Sequence, residues 1–222
     1  MTSTEGLNWV IFRPAIVYGP GDVTGITPRL IIAAVYQELK EEMKLLWTGD
    51  LRINTVHVKD VVKAVTHVVS KGVKNEIFNL SDKGETGKRP KSVDLPFTFI
   101  IDQNTMNKII EDIFKIKTGF HGSIISNLAR LNFSQAVEDS NEKHLQPWSE
   151  LCKKSNCQLV LTPYLDQELL LNNSLSVDGS KIETSTGFNY SYQKISTELI
   201  REVLDHFVKL EIFPISSLSS SA

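Results

Sequence analysis

The sequence predicts an α/β fold: the closing part of a doubly wound parallel sheet, followed by a smaller mixed α/β lobe. Two observations carry this reading. Residues 7–17 are a nearly continuous apolar and β-branched run broken at Arg13-Pro14, the composition that a parallel strand covered on both faces requires. As far as Leu80, extended and helical patterns then follow one another at the short spacings of βα units. The opening run stops at Tyr18-Gly19-Pro20-Gly21-Asp22, where proline pins φ and glycine accepts positive φ, so the chain turns sharply. Ligands in open α/β sheets sit beyond the carboxyl ends of the strands. Residues 13–22 are therefore the first place to look for a site.

Each element has its own signal. Thr27 suits the N-cap of a helix, Pro28 its first turn, and Leu30, Ile31, Ala34, Val35 and Leu39 its apolar stripe. Residues 43–48 read as a short strand ending at Gly49-Asp50, and residues 54–58 as another extended segment. Asp60 suits the cap of a second helix, whose face is Val61, Val62, Ala64, Val65, Val68 and Val69. Lys71-Gly72 closes it, and residues 76–80 form a buried strand. From Gln103 a helix carries Met106, Ile109, Ile110, Ile113 and Phe114 on one side, and residues 116–150 are irregular but mostly helical. Residues 158–162 suit a short strand, 165–171 a helix, and 175–177 a strand before the Asp178-Gly179-Ser180 turn. The last helix, about residues 196–209, turns Leu199, Ile200, Val203, Leu204, Phe207 and Val208 inward.

Composition narrows the class. A chain of 222 residues with 41% hydrophobic content makes one medium domain, or a domain with a small lobe, and a sizeable core. A net charge of −2 gives no electrostatic reason to expect nucleic acid or an anionic membrane as partner. No apolar stretch reaches the length of about 18 residues that spans a bilayer. The opening residues lack the basic and apolar regions of a secretory leader, so a cytoplasmic setting is expected. Cys152 and Cys157 read as two reduced thiols, and no metal site is expected.

Three strings carry a resemblance: RPAIVYGPGD at 13–22, TPRLI at 27–31 and NTVHVKDVVKAV at 54–65. In this order and spacing they resemble the later half of the extended short-chain dehydrogenase/reductases, the NAD-dependent epimerase/dehydratase family. The match covers most of residues 7–81, and a weaker one runs from about 102 to 214. The resemblance implies a Rossmann-type sheet. It implies that Arg13, Pro14, Ala15 and Val17 border the nicotinamide of NAD or NADP, and that Tyr18 and Gly19 turn the chain toward a small-molecule substrate. It further implies that Thr27 and Arg29 line the substrate pocket, with Arg29 facing a phosphate, and that His57 belongs to the same wall. The residues themselves leave other readings open: a structural ion pair for Arg13, a solvated helix-end position for Arg29, and a buried, hydrogen-bonded ring for His57. Relatives that use nucleotide sugars often carry an arginine where this chain has Ile53, next to Arg52.

The chemistry of such enzymes needs two further parts. One is a glycine-rich turn that cradles phosphates. The other is a tyrosine whose pKa is lowered by a lysine four residues on. No Gly-x-Gly-x-x-Gly occurs in the sequence. Tyr36-Lys40 and Tyr190-Lys194 have the spacing, but neither occupies the family's position. No catalytic residue is therefore assigned. The expectation is an incomplete NAD(P)-dependent epimerase, dehydratase or reductase-like protein, whose parent chemistry is hydride transfer on a sugar or an alcohol/carbonyl substrate. This chain would have no turnover and weak or no cofactor binding. The alternative is a non-catalytic binding or regulatory subunit, a homo-oligomer or one completed by a partner's sheet. The expected divisions are residues 1–82 for the end of the NAD(P)-binding domain, 83–101 for an unmatched insert, 102–214 for the substrate lobe and 215–222 for a disordered tail. The insert has two open readings: a translated intron, since its codons can spell a splice donor and acceptor, or an ordinary surface loop.

Overall fold

The computed structural model describes residues 6–83, 101–166, 170 and 173–214. Residues 84–100 of the unmatched insert, the tail and most of the expected helix at 165–171 lie outside the described residues. In chain order the elements are β1 (Val10–Pro14), β2 (Ile16–Tyr18), α1 (Thr27–Leu39), β3 (Met43–Leu45), β4 (Thr55–His57), α2 (Val58–Ser70) and β5 (Glu76–Leu80). They continue with α3 (Gln103–Phe114), β6 (Thr118–Phe120), α4 (Gly122–Leu131), α5 (Phe133–Lys154), α6 (Ser180–Thr186) and α7 (Thr197–Lys209). The fold is α/β, and the ladders β1–β5, β2–β4 and β3–β6 are all parallel.

The opening strand changes partner midway. Pro14, which has no N–H, pairs with Leu80 at the end of the β5 ladder. The Ala15 N–H still donates to the Leu80 carbonyl (2.8 Å), but the Ile16 N–H donates to Asn54 (3.1 Å), and β2 continues beside β4. The expectation of a strand covered on both faces is not met. Val10, Ile11 and Phe12 are half-buried, and Arg13 and Pro14 are exposed. Among the described residues β5 is the only strand beside β1, so one β1 edge is open. The second helix behaves likewise. Ala64 and Val68 are buried, while Val62, Val65 and Val69 are 60%, 41% and 74% exposed. Trp9, Val65 and Val69 border an open groove of about 440 Å³.

Two apolar cores hold the elements together. The larger joins α1, α3, α5 and α7, with Leu30, Ile110, Trp148 and Phe207 among its members. The smaller packs Val56, Ala64, Phe78 and Leu80 against Ile182, Phe188 and Tyr190. The irregular region expected over 116–150 is more regular than its glycines and proline suggest. Its main element, α5, runs 22 residues with Pro147 inside, where packing of Trp148, Leu151 and Cys152 into the larger core outweighs one lost helical hydrogen bond. The strand expected at 158–162 is absent, and a turn stands there. The final helix matches its expected bounds within one residue, and the Ser196 hydroxyl accepts the Leu199 N–H (3.4 Å).

At the α1–α5 contact, His144 is buried with no hydrogen-bond partner on either ring nitrogen. Its ring meets Tyr36 edge to face at 5.6 Å. Desolvation, then the neighbouring Lys143 charge, lowers it from 6.5 to about 4. The unfolded chain therefore takes up this proton more readily than the folded one. Stability is complete above pH 6.5 and falls as pH drops toward 4. The expected loss is on the order of 2–3 kcal/mol. Urea titrations at pH 7 and pH 4.5 check it: His144→Leu should lose less stability between the two than the natural chain.

Candidate functional site

The carboxyl end of β2 delivers a turn closed by one carboxylate. Asp22 Oδ1 accepts the N–H groups of Thr24 (3.1 Å) and Gly25 (2.6 Å), and Oδ2 accepts those of Ile26 (2.8 Å) and Thr27 (3.2 Å). Thr27 is thus not the N-cap. Its hydroxyl donates back to the Asp22 carbonyl at 2.5 Å, and it forms the first residue of α1. An acid five residues upstream satisfies the orphan N–H groups at the helix start. A side chain at Gly25 would place its Cβ 2.2 Å from the Val17 carbonyl, so glycine is needed for this close approach.

Two concavities flank the turn and share Ile16 and Gly25 as a wall. The first is an open groove of about 510 Å³ beside Val17, Pro20, Asp22 and Val58. The second is a deeper, mostly apolar cavity of about 300 Å³ between α1 and β3, walled by Ile32, Met43 and Trp47 with Arg29, Arg52 and Gln103. Trp47 is fixed there by its indole N–H, which donates to the Leu170 carbonyl (2.8 Å), and by its backbone N–H on Ser126 (2.7 Å). Arg29 keeps a partly exposed surface, yet its Nη1 is sealed from solvent without a hydrogen-bond partner. Desolvation lowers its guanidinium to about 10. An apolar cavity with a desolvated, under-partnered cation is suited to an anion.

The remaining expected site residues separate into groups. Val17 lines the open groove and Arg29 the cavity. Ala15 is buried in the strand, and Arg13 and Pro14 lie on the exposed end of β1, bordering neither concavity. Tyr18 is fully buried with its hydroxyl sealed, and burial followed by the Asp82 and Asp60 charges raises it above the ordinary phenol range. His57 ends β4. Its Nδ1 accepts the Lys59 N–H (3.2 Å), which puts the proton on Nε2. Its ring stacks on Tyr192 (3.8 Å) and meets the edge of Tyr18 (5.1 Å), and desolvation followed by the Lys59 charge lowers its pKa. Gly19 leaves room for this ring, since a Cβ there would stand 3.1 Å from Nε2 and 2.7 Å from Val58.

Asp60 does not cap α2; the His57 side chain does. The Asp60 carboxylate crosses to a distant segment of the chain, accepting the N–H groups of Ser191 (2.9 Å) and Tyr192 (2.8 Å). Of the two Tyr-Lys spacings, Tyr190 is structural. Its hydroxyl donates to Gly179 (3.2 Å) and accepts the Ser81 N–H (3.3 Å), and burial pushes it up to about 12, opposite to what proton transfer near neutral pH needs. Lys40, four residues after Tyr36, is the left-handed C-cap of α1. Arg52 and Trp47 were absent from the expected site. A signal existed for Arg52, one position before the family's arginine. Among the described residues no cluster of His, Cys, Asp or Glu could hold a metal, and no helix is long and apolar enough to cross a membrane.

Residues 1–81 match the model of the NAD dependent epimerase/dehydratase family. The matched segment contains β1 to β5 and the turn at Asp22. Solved structures with the same fold include UDP-glucose 4-epimerase of Thermotoga maritima with UDP-glucose (18% identity, TM-score 0.50, 92% of this chain and 47% of that one). They also include WbmG of Bordetella bronchiseptica with NAD and UDP (13%, 0.51, 96% and 48%). A third is UDP-N-acetylglucosamine 4-epimerase of Methanobrevibacter ruminantium with UDP-N-acetylmuramic acid (16%, 0.50, 93% and 48%). The chain spans about half the length of these structures. No curated protein matches the sequence significantly.

Proposed function

We propose that this chain forms the substrate-side part of an NAD(P)-dependent epimerase, dehydratase or reductase-like protein, whose parent chemistry is hydride transfer on a sugar or an alcohol/carbonyl substrate. The observation that carries the reading is Arg29, with Nη1 sealed and unpartnered against an apolar cavity beside Arg52. The epimerase/dehydratase segment and the UDP-sugar ligands of the similar structures support an anionic sugar nucleotide as occupant. In this reading Arg29 binds a phosphate of the substrate, Trp47 and Ile32 exclude water around it, and Asp22 holds the wall between cavity and groove.

The described residues do not fit a complete dinucleotide. Val17 and Pro20 offer an apolar border for a nicotinamide, but the helix start nearest the groove already holds the Asp22 carboxylate, where a cofactor phosphate would need free N–H groups. The 222 residues also lack the Gly-x-Gly-x-x-Gly turn. Purified chain is therefore expected to oxidise no NADH with a carbonyl substrate.

Calorimetry with UDP-glucose tests the binding role. Arg29→Met should weaken binding at least about tenfold, or about 1.4 kcal/mol. It should also raise the melting temperature, because removing a poorly paired buried cation relieves its desolvation. Equal affinity in the variant, or no binding by the natural chain, rejects the reading.

A second reading rests on the open edge of β1 and the exposed valines of α2. In it the chain is a non-catalytic subunit that binds a partner's strand along β1. Native mass spectrometry distinguishes the two: an assembly that Val65→Asp dissolves favours the subunit, whereas a monomer that binds UDP-glucose favours the substrate part.

A further inference from the structure

The two cysteines, unremarkable in the sequence, are brought together by the way α5 ends. Asn156 adopts a left-handed φ of 52°. Its N–H donates to the Lys153 carbonyl (3.2 Å), and the Cys157 N–H donates to the Cys152 carbonyl (2.9 Å). These paired five-to-two and six-to-one bonds are a Schellman closure, in which the side chains at its two ends meet. Those ends are Cys152 and Cys157, so the closure brings the two residues side by side. Cys152 is buried in the larger core beside Leu151 and Trp148, and Cys157 is half-buried and reachable from solvent. The six-to-one bond closes the backbone at the point a disulfide would span.

We infer that Cys152 and Cys157 form a reversible intramolecular disulfide by exchange with a low-molecular-weight disulfide of the glutathione class. The Cys157 thiolate attacks one sulfur of the oxidant, forming a mixed disulfide and releasing one glutathione thiolate. The Cys152 thiolate then attacks the Cys157 sulfur, the bond to glutathione breaks, and a second thiolate leaves. Two electrons pass from the protein to the oxidant, and the two thiol protons end on the released glutathiones. Burial, then the contact with Cys157, pushes Cys152 up to about 12, so the second step is slow near neutral pH and quickens as pH rises. The bridge would clamp the end of α5 to the segment where Gln158 N–H meets the Glu211 carbonyl (2.7 Å) and Trp148 Nε1–H meets the Leu161 carbonyl (3.0 Å).

The test is intact mass of the whole chain after incubation with glutathione disulfide at about pH 8, followed by iodoacetamide. The expected product is a monomer lighter by two hydrogens, about 2 Da, that takes up no alkyl group and regains two reactive thiols with dithiothreitol. Cys152→Ser should retain one glutathione on Cys157. A natural chain that keeps two free thiols, ends carrying glutathione, or links to a second chain overturns the inference. The mass of the natural chain decides this even where a variant fails to fold.

Discussion

Asp60→Ala lowers the unfolding free energy by about 2–5 kcal/mol, because two N–H groups lose the buried charged acceptor they share. The carboxylate is 1% exposed, and its oxygens serve Ser191 and Tyr192, more than 130 positions away in sequence. The Tyr192 ring covers His57, so the substitution also loosens the wall behind Gly19. Urea unfolding followed by far-ultraviolet circular dichroism measures the loss. A role limited to capping α2 would cost only about 1 kcal/mol, so a small shift in midpoint refutes the long-range role.

Trp148→Ala costs about 3–5 kcal/mol, the range for removing a large buried aromatic ring. The indole is 2% exposed, donates to the Leu161 carbonyl at 3.0 Å and packs edge to face on Phe213 at 5.6 Å. Trp148→Phe keeps much of the ring volume and loses the hydrogen bond, so about 1–2 kcal/mol is expected. Guanidinium unfolding of both variants separates packing from the polar contact: equal losses would mean that the N–H bond, and not the ring, carries the effect.

The folded elements were legible where the signal is local. Helical spacing of apolar residues marked α1, α2, α3 and α7 to within a few residues, because one face of a helix is written every three to four positions. The region of α4 and α5 was less clear, since Pro147 is a local breaker that packing of α5 overrides. The site was legible in part. The turn after Tyr18 followed from its glycines and proline and Arg29 was pointed to only by the family resemblance, whereas Arg52 and Trp47 entered the cavity wall only through the packing of α1 against β3.

By itself the sequence determined the α/β class, the helices α1, α2, α3 and α7 and the absence of a Gly-x-Gly-x-x-Gly turn. The tertiary structure decided which partner each polar group found. Asp22 closes its own turn, Asp60 reaches Ser191 and Tyr192, and Arg29 is left under-partnered beside a cavity. A residue's type fixes its hydrogen-bonding capacity and its local conformational preference, but which groups it meets depends on surfaces joined from distant parts of the chain.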